Sequence, residues 1–226
     1  VNYLEQNIKG ICGRFGIDYI QFMSDLEVDH PHELTIYDLQ TICEEYQVDL
    51  QALMFKPMFR SDVFKKKIKS LKLIVLDVDG VMTDGGMYYT ESGDQFKKFN
   101  TKDGMSILHL TKSNMQVAII SSGFKQEAVR SRAELLGIQH CIVTREPKID
   151  VLNKLCQTLD IQLHEVAIVG DDVNDLEVIR KVGFSACPSD AVNTVKSAVD
   201  VVLTKRGGEG CVREFIDSYL LDQPLA

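Results

Sequence analysis

The sequence predicts an α/β fold for most of the chain: a parallel sheet flanked by helices, Rossmann-like in plan, preceded by a small all-helical module. Three observations carry this. Residues 73–76 and 166–169 are short apolar runs that stop at acids, as buried parallel strands do. From residue 70 onward, strand-like and helix-like stretches alternate. Residues 1 to about 60 show almost no strand pattern.

In the N-terminal stretch, Thr35 and Asp38 suit a helix cap, and Leu39, Ile42, Cys43 and Tyr46 fall on one helical face. Val48, Leu50, Leu53 and Met54 suggest a further short helix. The pattern over 35–55 resembles the closing helices of a repressor-type helix-turn-helix. Its charge opposes DNA binding. Lys9, Arg14, Lys56 and Arg60 stand against Glu5, Asp18, Asp25, Glu27, Asp29, Glu33, Asp38, Glu44, Glu45 and Asp49. Phosphate contacts need the opposite sign. A docking or dimerisation module over residues 1–62 is expected instead. Its apolar face would bury against the rest of the chain or another subunit. Lys65, Lys66, Lys67 and Lys69 read as a solvated linker before a second domain over 70–226.

The first strand, 73–76, runs into Asp77, Val78, Asp79 and Gly80. Residues i and i+2 of an extended chain point the same way, so Asp77 and Asp79 would emerge together at the carboxyl end of the strand. Open α/β sheets bind their ligands there. Gly80 allows a sharp turn. Residues 87–90 and 95–99 around a Glu-Ser-Gly-Asp turn read as a β-hairpin, a sheet extension that also suits a flap over that end. Residues 117–120 form a strand ending in Ser121, Ser122 and Gly123, with a helical stretch over 125–136 behind it. A hydroxyl and free N–H groups at a helix start suit a phosphate. Taken singly, Ser121 fits a helix cap and Lys148, which opens another helix, fits a surface lysine. The run 166–169 leads into Gly170, Asp171, Asp172 and Asp175. Two strands ending in carboxylates make a site for a hard divalent cation such as Mg²⁺. Strands near 141–143, 184–187 and 201–203 complete the sheet. The glycines of 207–210 form a loop before a last helix.

In this order, these motifs resemble the haloacid dehalogenase superfamily: Asp77 with Asp79 and Gly80, then Ser121, then Lys148, then Gly170 with Asp171, Asp172 and Asp175. The resemblance spans residues 70–219. It is closest to the capless sugar-acid phosphatases that act on octulosonate 8-phosphate or nonulosonate 9-phosphate, through stretches 77–85, 98–104 and 207–214. It implies a Mg²⁺-dependent phosphomonoester hydrolase acting through an aspartyl-phosphate. Asp77 would be the nucleophile. Asp79 would be the acid and base, with its backbone carbonyl on the metal. Asp171 would be the further metal ligand and Ser121 a phosphate holder, while Lys148 would balance charge. Asp172 and Asp175 would brace the metal shell and Lys148. Ser122, Gly123 and Arg213 would lie near substrate, Arg213 on a tail that reaches an active site. The resemblance also implies a homo-oligomer, a tetramer; no cap insertion follows the first motif, so a neighbouring subunit or the N-terminal module would cover the site. This chain departs from the family at the second motif. Ser121, Ser122 and Gly123 stand where those phosphatases have Thr-Gly-Arg or Thr-Gly-Glu, and the alignment takes one extra residue near Phe124.

The net charge of −8 argues against nucleic acid or an anionic membrane as the main partner, and the resemblance implies a small phosphorylated metabolite. No apolar run of membrane length and no secretory signal are visible, and the six scattered cysteines read as reduced. A cytoplasmic protein is expected. Two alternatives stand beside the enzyme: a non-catalytic phosphatase-like assembly module, and a regulator with a DNA-binding N-terminal domain.

Overall fold

The computed structural model describes residues 3–56, 58, 67–113, 115–123 and 126–221. Arg60 of the N-terminal module, Lys65 and Lys66 of the expected linker, and Phe124 and Lys125 after the second motif lie outside the described residues. Four helices come first: α1 (Tyr3–Phe15), α2 (Tyr19–Asp25), α3 (Ile36–Tyr46) and α4 (Leu50–Phe55). Their starts are set by side chains that satisfy free N–H groups. Asp18 caps α2, Asp49 caps α4, and Thr35 with Asp38 forms the reciprocal cap of α3. Where a recognition helix would lie, the chain has a single turn, Pro31–Glu33.

The strands and helices that follow are β1 (Leu73–Leu76), β2 (Tyr88–Tyr89), β3 (Gln95–Phe96), α5 (Thr101–Thr111), β4 (Gln116–Ser121), α6 (Glu127–Leu135), β5 (His140–Val143) and α7 (Lys148–Leu159). After them come β6 (Val166–Val169), α8 (Leu176–Ile179), β7 (Phe184–Cys187), α9 (Asn193–Ala198), β8 (Val201–Val202) and α10 (Cys211–Phe215). Six strands form one parallel sheet in the order β5-β4-β1-β6-β7-β8, and β2 with β3 forms the separate antiparallel hairpin. The sheet is buried on both faces, so β1 and β6 are apolar throughout rather than alternating.

The period of two still divides the core. Ile74 and Leu76 face Ile107, Leu110, Val129 and Phe215, whereas Leu73 and Val75 face Leu152, Leu155 and Val178. The second layer is continuous with Ile8, Ile11, Leu39, Ile42 and Leu53 of the N-terminal helices. Asn7, almost fully buried, locks α1 to the end of α4: its Nδ2 donates to Leu53 O at 2.9 Å and its Oδ1 accepts from Met58 N at 2.8 Å. The helices also meet α9 and the chain after α10. Lys196 pairs with Asp49 at 3.3 Å, Lys56 Nζ donates to Ser197 O at 2.8 Å, and Tyr219 donates to Met58 O. Among the described residues, no helix is long and apolar enough to cross a membrane.

Candidate active site

Strand order places the site. The chain leaves β1 toward β4 on one side and returns to β6 on the other, so β1 and β6 are neighbours where the order reverses. Leu76 pairs with Val169, and Asp77 N donates to Val169 O at 3.1 Å. The carboxylates that follow the two strands therefore meet. Beyond Asp77 the chain makes one wide turn, closed by Thr83 N onto Val78 O at 3.0 Å. Gly80 holds φ +87°, and a Cβ there would lie 2.1 Å from Asp171 Oδ2. That space belongs to Asp171.

Lys148 begins α7 directly after Pro147, and it is buried, not a surface lysine. Its Nζ lies 3.0 Å from Asp77 Oδ2 and 2.7 Å from Asp175 Oδ1. Burial opposes its charge, but Asp77 and Asp175 outweigh that and hold its pKa above the ordinary lysine value. Asp175 also accepts from Asp171 N at 3.2 Å. Oxygens of Asp77, Asp171 and Asp175 lie within 4.8 Å of one another. One ammonium cannot neutralise three acids. Burial first, then like charge from Asp175, pushes Asp77 up to about 7 despite Lys148. Burial, then Asp77 and Asp175, pushes Asp171 up to about 8. Asp171 Oδ1 is buried with no hydrogen-bond partner. An orphaned carboxylate oxygen inside an acidic cluster fits a hard divalent cation.

A cavity of about 420 Å³ opens onto this cluster. Asp77, Asp79, Ser121, Ser122, Gly123, Asp171 and Asp172 line it from the sheet end, and Met87, Tyr89, Gln95 and Lys97 line it from the hairpin. The hairpin thus lies over the site, as its position after the first motif suggests. Ser121 ends β4 buried, with its Oγ accepting from Gly123 N at 3.4 Å. It caps no helix, since α6 begins at Glu127.

Two further expected residues lie at or beyond the edge of the cavity. Asp172 does not touch Lys148; it is exposed at the cavity edge and accepts from its neighbour Val173 N at 2.7 Å. Arg213 is absent from the cavity lining, and its guanidinium pairs with Asp217 one turn along. Asp79 keeps its side chain out of the acidic cluster and bonds Lys97 instead. Sequence reasoning assigned no role to Lys97. The signal was present: in an extended strand Gln95 and Lys97 share a face, and a flap presents one face to the site.

The glycines after β8 support the nucleophile loop from behind. A Cβ on Gly207 would sit 1.9 Å from Gly80 O, and Gly208 N donates to Val81 O at 2.9 Å. Asn100 Nδ2 reaches Gly208 O at 3.1 Å, and Asp103 accepts from Arg213 N at 2.7 Å. Asp103, in the first turn of α5, is buried against the start of α10, and that burial pushes its carboxyl up to about 6 against the pull of the Arg213, Gly210 and Val212 N–H groups.

A family model for haloacid dehalogenase-like hydrolases matches residues 101–183. The chain is 40% identical over 157 residues to the 3-deoxy-D-manno-octulosonate 8-phosphate phosphatase KdsC of Salmonella typhi, covering 70% of this chain and 83% of that protein. Two solved structures share its architecture. The 3-deoxy-D-manno-octulosonate 8-phosphate phosphatase of Moraxella catarrhalis, in complex with magnesium, phosphate and KDO, has a TM-score of 0.69 and 34% identity, over 73% of this chain and 94% of that one. The enzyme of the same name from Yersinia pestis has a TM-score of 0.69 and 35% identity, over 73% of this chain and 88% of that one. The adjoining strand ends, the acidic cluster and the lysine beneath it therefore sit on a shared scaffold: the chain belongs to the haloacid dehalogenase-like hydrolases and is a phosphatase homologous to KdsC.

Proposed function

We propose that the chain hydrolyses the phosphomonoester of a sugar acid, of the octulosonate 8-phosphate or nonulosonate 9-phosphate type, through a covalent aspartyl-phosphate. The observation that carries this is the buried Asp77 carboxylate, 3.0 Å from Lys148 at the floor of a cavity that also holds Asp79 and Ser121. Phosphoryl transfer needs positioning and charge neutralisation above all. An Asp77 oxygen attacks phosphorus, the bond from phosphorus to the sugar oxygen breaks, and Asp79 gives that oxygen a proton. Asp79 then takes a proton from water, whose oxygen attacks phosphorus, releasing phosphate and restoring Asp77. Ser121 holds a phosphoryl oxygen, and Lys148, 3.0 Å from Asp77 Oδ2, aims the nucleophile and offsets its charge. Asp77, Asp171 and the Asp79 carbonyl would hold a Mg²⁺ ion, which would supply further positive charge for the phosphoryl oxygens.

The name of the Salmonella typhi relative supports the substrate class. The same resemblance supports a cytoplasmic homo-oligomer, with a neighbouring subunit covering the open cavity. Residues 1–62 act as a docking module for the phosphatase unit, 70–226. A panel of phosphorylated metabolites with Mg²⁺ tests the substrate. Asp77→Asn keeps the shape and removes the nucleophile, so turnover is expected to fall at least about 10³-fold. Retention of more than a few per cent would rule out the covalent route. Light scattering of the full chain tests the assembly; a monomer at working concentration would exclude the covering subunit.

A further inference from the structure

Lys97 is a long, charged side chain with only 8% of its surface exposed. An ammonium taken that far out of water needs a partner. Its partner is the carboxylate of Asp79, 18 residues earlier. Among the described residues, no other side chain bonds that carboxylate, and Lys97 is the one cation lining the cavity. The backbone fixes the meeting. Thr83, at the end of the catalytic turn, bridges antiparallel to Phe99 at the base of the hairpin. Two residues back along that strand, Lys97 returns over the loop that carries Asp79 and shares the cavity wall with Gly85. Asp79 is 43% exposed and would otherwise be free to turn toward solvent.

We propose that Lys97 is a positioning residue: the hairpin uses it to hold the Asp79 carboxyl over the reacting oxygen. This rests on the role proposed above for Asp79. That role demands one carboxyl in one place twice, first at the leaving oxygen and then at the attacking water. Small misplacements of such a group cost about 10²-fold in rate. The hairpin then contributes to chemistry as well as covering the cavity.

The test compares wild type, Lys97→Met and Lys97→Arg, in the full chain with Mg²⁺, on a sugar phosphate and on p-nitrophenyl phosphate. The nitrophenolate leaving group needs no proton. In Lys97→Met, kcat on the sugar phosphate is expected to fall about 10²-fold, with KM moved less than about threefold. With p-nitrophenyl phosphate the variant should release a rapid burst of nitrophenolate equal to the enzyme and then turn over slowly, because only the water-activating step is impaired. Lys97→Arg should restore most of the rate. Thermal melts check that each variant folds, and Lys97→Gln replaces the Met variant if that one does not. A loss carried by KM, or equal losses in the first step for both esters, overturns the proposal, since Lys97 would then act on substrate directly. A wild type that hydrolyses no phosphate ester removes the phosphatase reading and this proposal with it; an active wild type with an unimpaired Lys97→Met removes only this one.

Discussion

Arg14 in α1 donates to Glu214 Oε1 in α10 at 3.0 Å, across 200 positions of sequence. The same guanidinium reaches Thr204 Oγ1 at 2.9 Å and Ser218 Oγ at 3.3 Å. Glu214 in turn accepts from Thr204 N at 3.1 Å and Lys205 N at 2.8 Å. One carboxylate therefore joins the N-terminal helices to the segment whose glycines support the nucleophile loop.

The two partners are not equal. Glu214→Ala removes the charged partner of Arg14 and the acceptor of two backbone N–H groups, and is expected to cost about 2–3 kcal/mol. Arg14→Ala leaves those N–H groups bonded and should cost about 1 kcal/mol. Urea unfolding of both variants checks the order; equal losses would mean that the guanidinium alone matters.

Gly207→Ala tests the support from behind. Its Cβ would stand 1.9 Å from Gly80 O, so the backbone of one loop must move. The loop that moves carries Asp79 and follows Asp77. Turnover is expected to fall about 10²-fold while substrate affinity changes little, because misplacement acts on the reacting geometry. Steady-state kinetics on the same panel of esters gives the answer, and a variant with wild-type kcat would free the two loops from each other.

Metal binding should release protons. In the metal-free protein, Asp77 is raised to about 7 and Asp171 to about 8, so both hold protons for part of the time at neutral pH. A divalent cation binds their ionised forms. Affinity for Mg²⁺ should therefore rise with pH up to about 8 and level off above it. Calorimetric titration in buffers of different ionisation enthalpy reads the proton count directly. Asp171→Ala should weaken Mg²⁺ binding and recover part of its activity at high Mg²⁺; an equal loss at every concentration would remove Asp171 from the ligand set.

Asp103 gives stability an acid side. Its folded pKa, about 6, lies above the ordinary 3.8, so folding favours the protonated form. The contribution is fully present below 3.8 and is lost as pH rises through about 6. Asp103→Asn keeps the acceptor for Arg213 N and removes the charge. Above pH 6 it should stabilise the protein by about 1–3 kcal/mol and flatten the decline between pH 4 and 6. Urea midpoints at pH 4 and pH 7 decide this.

Much of the site was legible because strand ends mark themselves. An apolar run followed by acids locates Asp77 and Asp171 without any long-range knowledge, and parallel pairing brings them together. Lys148 was placed by its order in the motifs, but its burial was not readable: it depends on Asp77 and Asp175 closing around it. The setting of Arg213 was not readable for a different reason. Asp217, one helical turn away, is a local partner that competes for the guanidinium. Asp172 adjoins Asp171 in sequence, and its exposed side chain accepts from Val173 N at the cavity edge. Helices α3 and α4 were visible through their cap and apolar face, whereas the seat of the module against α9 rests on contacts such as Lys196 with Asp49, 147 positions apart.

The bond between Arg14 and Glu214 also constrains how the chain is made. On a ribosome, α1 emerges early, but its partners in α10 emerge near the end of the described chain. The central strand is in the same position, since β1 must wait for β6 before its second edge is covered. Until then the apolar faces of α1, α3 and β1 have only each other and solvent. Such long waits slow folding and expose surface to aggregation. Heterologous production should therefore reward slow synthesis and low temperature, and a nascent-chain assay should find protease resistance only once residues beyond 214 have left the exit tunnel.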